Sequence, residues 1–139
     1  MCLKIAVIDG KGGGLGKAIC EKITPLTGED IQLYALGTNA SATMAMMKGG
    51  ASDGATGENA ICHMAQQMDI IIGPIAILVA NSMMGEISQK MASAVAGSKA
   101  EKMLLPLQKC SLTVIGVKDM SINQMLTELE EKIKKLKIK

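Results

Sequence analysis

The chain has 139 residues, of which 48% are hydrophobic and 20% are charged, and its net charge at pH 7 is +2. This balance excludes a disordered chain and predicts one globular domain over residues 1–139. The small net charge and the single aromatic residue, Tyr34, argue against nucleic acid as a partner, because single strands are held by stacking on aromatic rings. The core must then be aliphatic, with the 12 methionines filling part of its volume.

The cysteine spacing and the apolar runs bear on the compartment. No Cys-x-x-Cys pair occurs, so neither a zinc ribbon nor a thioredoxin-like motif is expected. The first predicted strand begins at about Leu3, which leaves no room for a signal peptide, and the longest apolar run, 70–80, is too short to span a bilayer. We therefore expect a cytoplasmic protein with reduced thiols and no membrane partner. The four cysteines are Cys2, Cys20, Cys62 and Cys110.

The first half of the chain predicts an alternation of strands and helices. The nearly continuous apolar run from Leu3 is typical of a strand buried on both faces of a parallel sheet. Pro25 should end the first helix, and Thr38 or Asn39 can cap the second one. The expected elements are strands at 3–8 and 31–36, helices at about 15–24, 39–48 and 58–68, and a small-residue loop at 51–57.

The second half predicts three more strands and two more helices. Residues 108–110 are too few for a crossover helix, so the last two strands should pair antiparallel. Ser121 and Gln124 have the spacing of a capping box, which predicts the start of the last helix. Residues 75–84 fit either a buried helix or a packed loop. The expected elements are strands at 69–72, 102–107 and 112–117, and helices at 86–96 and from Ser121 onward.

This pattern predicts an α/β fold, a three-layer α/β/α Rossmann-like sandwich. The five-stranded sheet should be mostly parallel, in the order 2-1-3-4-5, with one antiparallel edge strand. In such sheets the ligand lies beyond the carboxyl ends of the strands, where the strand order reverses. That point is expected between the first and third predicted strands.

A glycine-dense loop, Gly10 to Gly16, follows the first predicted strand and opens the first helix. This order is typical of phosphate sites, because backbone N–H groups and the helix dipole converge there. The G-x-G-x-x-G spacing is not met, since Leu15 stands at the third glycine position. A Walker A loop is not met either, since Lys11 replaces its first glycine and Ala18 its Ser/Thr. The glycines at relative positions 1, 5 and 7 resemble the G-x-x-x-G-x-G loop of the short-chain dehydrogenases.

The dehydrogenase resemblance implies NAD or NADP as the cofactor, with its phosphates on the loop. The resemblance covers about the first twenty residues, and the chain departs from that family elsewhere. Its Tyr-x-x-x-Lys catalytic pair has no match, because Tyr34 is followed four residues later by Thr38. The second strand also ends without an acid that would bind a ribose diol, so Gly37 to Asn39 could accept a 2′-phosphate or no adenosine at all. The reaction is therefore left open.

Over nearly its whole length, the chain resembles a small uncharacterised bacterial family, a domain of unknown function with a Rossmann-like appearance. That resemblance supports the fold and implies no activity. The segments that carry it are 6–10 with the glycines that follow, 35–40, 54–60, 73–75, 79–83 and 85–87.

The candidate ligand-binding residues lie at the expected carboxyl edge of the sheet. Asp9 has two open roles: it could accept N–H bonds from the loop, or it could bind a ribose hydroxyl or Mg²⁺. A response-regulator receiver is disfavoured, because Gly73 stands where the phosphate-accepting Asp should be. The candidates are Asp9, Gly10, Lys11, Gly12, Gly13, Gly14, Leu15, Gly16, Lys17, Thr38, Asn39, Gly73 and Pro74.

Few residues elsewhere suggest chemistry. His63 and Cys62 would point about 100° apart on a helix, which suits no nucleophile–base pair, and no metal site is expected. Asn81-Ser82 needs polar partners, and a ligand, a helix cap and a subunit contact remain open.

Two hypotheses of function follow. The first is binding of a phosphate-containing small molecule, a nucleotide or dinucleotide of the NAD(P) type. The alternative is a non-catalytic sensor or scaffold that acts as a homo-oligomer through segment 75–84. On that alternative, Ile77→Asp should yield monomers.

Overall fold

Five parallel strands form one sheet in the order β3-β2-β1-β4-β5. The computed structural model describes residues 2–107 and 111–138. The strands are β1 (Leu3–Asp9), β2 (Ile31–Gly37), β3 (Asp53–Thr56), β4 (Ile70–Pro74) and β5 (Glu101–Leu105). The helices are α1 (Gly14–Ile23), α2 (Ala40–Lys48), α3 (Glu58–Ala65), α4 (Gln89–Ala96) and α5 (Ile122–Ile138). Short 3-10 turns lie at Thr24–Leu26, Ile75–Leu78 and Met83–Gly85.

Helices cover both faces of the sheet, because successive side chains of a strand point to opposite sides. Ile5 and Val7 of β1 pack in the core formed with α1, α2 and α5. Ala6 and Ile8 pack in the core formed with α3 and α4. All four side chains are fully buried. The prediction of a parallel sheet with a strand buried on both faces is thereby confirmed.

The edge strand β3 lies where the sequence predicts only a loop. Asp53–Thr56 carries no apolar alternation, yet it pairs in parallel with β2, Gly37 lying opposite Thr56. An edge strand that is half exposed is held by backbone hydrogen bonds to one neighbour, so it needs no hydrophobic pattern. The predicted order 2-1-3-4-5 is therefore wrong at this edge, while the four strands that both orders share keep their predicted neighbours.

The predicted antiparallel edge strand at 112–117 is wrong as well. These residues form no strand in the structure, and all described strand pairs are parallel. Ser111, just before the apolar run, and Gly116, within it, have φ values of 56° and 91°, which interrupt an extended backbone. Ile115 is 91% exposed. The predicted connection at 108–110, with Cys110, lies outside the described residues.

The predicted cap of the second helix is confirmed, since the Asn39 side chain accepts the Ala42 N–H (2.9 Å) at the start of α2. The helix predicted at 86–96 begins later, at Gln89, where the Ser88 side chain accepts the Met91 N–H. Segment 75–84 is a packed loop with a 3-10 turn rather than a buried helix. Among the helices of residues 2–107 and 111–138, none is long and apolar enough to cross a membrane.

Replacing Ser121 with Ala should lower the free energy of unfolding by about 1 kcal/mol. The Ser121 hydroxyl accepts the Gln124 N–H (3.1 Å), and the Gln124 side chain accepts the Ser121 N–H in return (2.8 Å). The measurement is urea denaturation. Ser93→Ala is the matched control, since Ser93 is exposed within α4. Equal effects of the two variants would contradict a working capping box.

Candidate functional site

The candidate site lies where the chain reverses direction across the sheet. From β1 the chain proceeds outward to β2 and β3, and it then crosses back to place β4 on the other side of β1. The carboxyl ends of the first three strands are level, since Asp9 lies opposite Gly37 and Gly37 opposite Thr56. The expected switch point between β1 and its neighbour β4 is confirmed. The glycine loop leaves the sheet at this point.

Gly13 makes the loop turn into α1. Its φ is 73°, and its N–H donates to the Gly10 carbonyl (2.9 Å). A Cβ on Gly13 would lie 2.8 Å from the Cα and carbonyl oxygen of Ala42 in α2, so both conformation and space require glycine. By contrast, a Cβ on Gly12 or Gly14 would meet nothing within 4 Å. The loop is thus packed on one side and open on the other.

The open side of the loop presents unpaired backbone donors. Within the described part of the chain, the N–H groups of Gly12, Gly14 and Leu15 have no hydrogen-bond partner. The N-cap residue of α1, Gly13, provides no side-chain cap, and the first turn of the helix contains no acidic residue. The start of a helix carries a partial positive charge, so uncapped N–H groups there attract anions.

The Asp9 carboxylate is part of the loop's own scaffold. Oδ1 accepts the Gly10 N–H (2.8 Å) and Oδ2 accepts the Gly16 N–H (2.7 Å). The residue is only 5% exposed, and this burial raises the pKa of its carboxyl despite the two hydrogen bonds that lower it. Of the two roles considered for Asp9, the geometry matches acceptance of loop N–H bonds. Among the described residues, no group of three or more His, Cys, Asp or Glu side chains could hold a metal ion.

A cleft of about 490 Å³ opens above the loop, between the ends of β1 and β4. This volume falls in the range of small-molecule sites. Its walls combine the glycine loop with apolar side chains from the segment after β4. The lining residues are Asp9, Gly10, Lys11, Gly12, Gly13, Gly14, Leu15, Pro74, Ala76, Met83, Met84 and Leu107.

Glu86 lies beside this cleft, against the lining residues Gly10 and Lys11, and the sequence does not reveal it. Its Oε1 accepts the Lys11 N–H (2.8 Å), the Thr38 hydroxyl (2.6 Å) and the Asn39 amide (3.0 Å). These hydrogen bonds, that of Thr38 foremost, lower the pKa of the Glu86 carboxyl. The one available signal is that Glu86 is the first charged residue after sixteen uncharged ones, 70–85.

The structure brings most of the predicted site residues together. Asp9 to Leu15 and Pro74 line the cleft. Thr38 and Asn39 lie beside it and contact Glu86 instead of lining it.

Three other predicted residues have packing positions. Gly16 sits in the first turn of α1 against Met46, and Lys17 is half-buried one residue further along that helix. Gly73 lets β4 approach β1, because its Cβ would lie 2.5 Å from the Ile8 carbonyl oxygen. None of the three lines the cleft.

Comparison with known families agrees with the whole-chain resemblance. A family model described as Domain of unknown function (DUF3842) matches residues 4–138. The chain belongs to the DUF3842 family. A search of the curated proteins found no match to the chain. Membership of DUF3842 assigns no activity.

Of the remaining polar candidates of this DUF3842 chain, Ser82 has a structural role, since its buried hydroxyl donates to the Ala76 carbonyl (2.6 Å). Asn81 is exposed, and its backbone N–H donates to the Ile87 carbonyl (2.7 Å). His63 lies 2.8 Å from the Gln67 side chain on the exposed side of α3. Burial raises the pKa of the neighbouring Cys62 thiol, which is the opposite of an activated nucleophile.

Proposed function

We propose that this DUF3842 domain binds a nucleotide or dinucleotide whose phosphate rests on the glycine loop. The observation that carries the proposal is the set of three unpaired N–H groups, of Gly12, Gly14 and Leu15, at the rim of the cleft. A phosphate has the charge and the acceptor oxygens to satisfy these donors at once. NAD and NADP are the candidate cofactors.

The position of the cleft favours the same class of ligand. It lies at the reversal point of a parallel sheet, where nucleotides bind in doubly wound folds. Its floor is backbone rather than side chain, because Gly12 and Gly14 leave open space in which a pyrophosphate can approach the chain. Its apolar wall, with Ala76 and Met83, suits the uncharged part of such a ligand.

A thermal-shift panel of NAD, NADP, ATP, FMN and S-adenosylmethionine tests the proposal. A ligand at a hundredfold excess over its Kd adds about 2.7 kcal/mol to the free energy of unfolding. In a chain of this length, that raises Tm by several degrees. No shift with any of the five compounds would contradict nucleotide binding.

The alternative function, a non-catalytic sensor or scaffold acting as a homo-oligomer, is favoured by one observation. Met84 at the rim of the cleft is 91% exposed, whereas the other residues of segment 75–84, apart from Ala80 and Asn81, are partly or fully buried. Large exposed apolar side chains at a rim are typical of contact surfaces. The oligomeric state of a Met84 variant, considered below, tests this alternative.

A further inference from the structure

Glu86 places a carboxylate at the end of β2, where the chain itself has none. β2 ends at Gly37, and Thr38 and Asn39 follow it. The Glu86 carboxylate reaches both of these side chains across 47 and 48 sequence positions. The position that an acidic residue usually occupies after the second strand of a dinucleotide-binding fold is therefore filled from the segment after β4.

This carboxylate is fixed in position. All three of its hydrogen bonds with described residues reach Oε1, from Lys11, Thr38 and Asn39. The Asn39 amide also donates to the Lys11 carbonyl (2.9 Å), so the β1 and β2 loops are tied to each other as well. Gly10 provides the room, because a Cβ there would lie 2.9 Å from Glu86 Oε1.

The second oxygen of Glu86 is free to accept a hydrogen bond. Among residues 2–107 and 111–138, Oε2 has no hydrogen-bond partner, and the side chain is only partly buried. The same carboxylate is bonded to Lys11, which lines the cleft next to the unpaired N–H groups of the loop. An acceptor thus lies next to two lining residues of the cleft, Gly10 and Lys11, and the unpaired donors belong to further lining residues of the same loop.

We propose that Glu86 Oε2 accepts a hydrogen bond from a ribose hydroxyl of the bound nucleotide. The ligand class is then a nucleotide with free 2′- and 3′-hydroxyls, and a 2′-phosphorylated one is rejected. This inference rests on the proposed function, because it needs the phosphate of the ligand on the glycine loop. It differs from both alternatives that the sequence leaves open for Gly37 to Asn39, a 2′-phosphate or no adenosine at all.

Electrostatics favours a ligand with a free 2′-hydroxyl over one with a 2′-phosphate. A 2′-phosphate beside Glu86 would bring two like charges together, which is unfavourable near a surface of low dielectric constant. Lys11 is the cation that acts on Glu86, and its charge is the weakest of the influences on that carboxylate. A hydroxyl, in contrast, donates to the charged oxygen and forms one of the stronger classes of hydrogen bond.

Two ligand pairs that differ in one group each test the inference by titration calorimetry. NADP differs from NAD by the 2′-phosphate, and 2′-deoxy-ATP differs from ATP by the 2′-hydroxyl. The wild-type protein should bind the compound with a free 2′-hydroxyl, NAD in one pair and ATP in the other, about tenfold tighter or more. In Glu86→Gln, both ratios should fall to within about threefold. Glu29→Gln, in the exposed turn at the opposite end of β2, should leave both ratios unchanged.

The ratios separate recognition of ribose from a purely structural role. If Glu86 only holds the loops together, Glu86→Gln weakens both members of each pair equally and the wild-type ratios persist, which overturns the inference. Equal binding of both members by the wild-type protein also overturns it, while nucleotide binding stands. If none of the four compounds binds the wild-type protein, the inference falls, and the proposed function falls with it when the thermal-shift panel also gives no shift.

Discussion

Replacing Ile77 with Asp is expected to unfold the protein rather than to dissociate it. The Ile77 side chain is fully buried in the core formed with α3 and α4, and it packs against the backbone at Gly73. A carboxylate there would have no partner, at a cost of several kcal/mol. This cost is comparable with the whole stability of a typical domain, about 5–15 kcal/mol. The measurement is thermal denaturation followed by circular dichroism.

Met84→Asp is the matched control, in the same segment but with its side chain in solvent. Its free energy of unfolding should stay within about 0.5 kcal/mol of the wild type, because the new charge remains hydrated. Light scattering on this variant tests the homo-oligomer alternative, which Ile77→Asp cannot do, since a monomer seen with that variant would reflect lost folding. A cooperative, wild-type melting transition in Ile77→Asp would show that Ile77 is not a core residue.

Replacing Gly14 with Val is expected to abolish the ligand-induced shift while the protein stays folded. Gly14 is the first residue of α1, and its Cβ position is empty. The valine side chain would fill the space over the unpaired N–H groups of the loop, which the phosphate needs. We expect the unliganded protein to change by less than about 1 kcal/mol in unfolding free energy, since a Gly-to-Val change in a helix carries no intrinsic penalty.

Gly28→Val measures the general effect of this substitution at an open glycine. Gly28 lies in the turn before β2, and its Cβ would meet only Asp30 Oδ1, at 3.8 Å. The Gly28→Val variant should leave both the free energy of unfolding and the ligand-induced Tm shift near their wild-type values. Gly13→Val, in contrast, is expected to lower the Tm of the unliganded protein, because its Cβ would meet the α2 backbone. A full ligand shift in Gly14→Val would place the ligand elsewhere.

The parts of the fold that the sequence predicts are those set by local interactions. The buried run of β1, the glycine turn after it and the Ser121–Gln124 capping box all depend on neighbours a few residues apart. The edges of the sheet were not predictable in this way. β3 is held by backbone pairing with β2, which its own residues do not indicate. The run at 112–117 has the apolar residues of a strand, but it pairs with no neighbouring strand and so forms none.

In the candidate site, too, the local part is predictable from the sequence and the long-range part is not. The glycine loop with Asp9 is contiguous, so the pattern of residues predicts it. The Glu86 contact joins residues 75 positions apart, and it depends on left-handed backbone conformations at Met83, Met84 and Gly85 that turn the chain toward the loop. Such conformations are rare for methionine, and a propensity argument from sequence would not place them there.

The central place of β1 has a consequence for the order in which the protein is made. Ile5 lies opposite Leu33 on one side and opposite Ile70 on the other, so one edge of β1 is paired only after half the chain has been synthesised. Until then, a nascent chain exposes an unpaired apolar strand edge, which is a site of misassembly. The ribosome must deliver β4 before the sheet, and with it the cleft, can close.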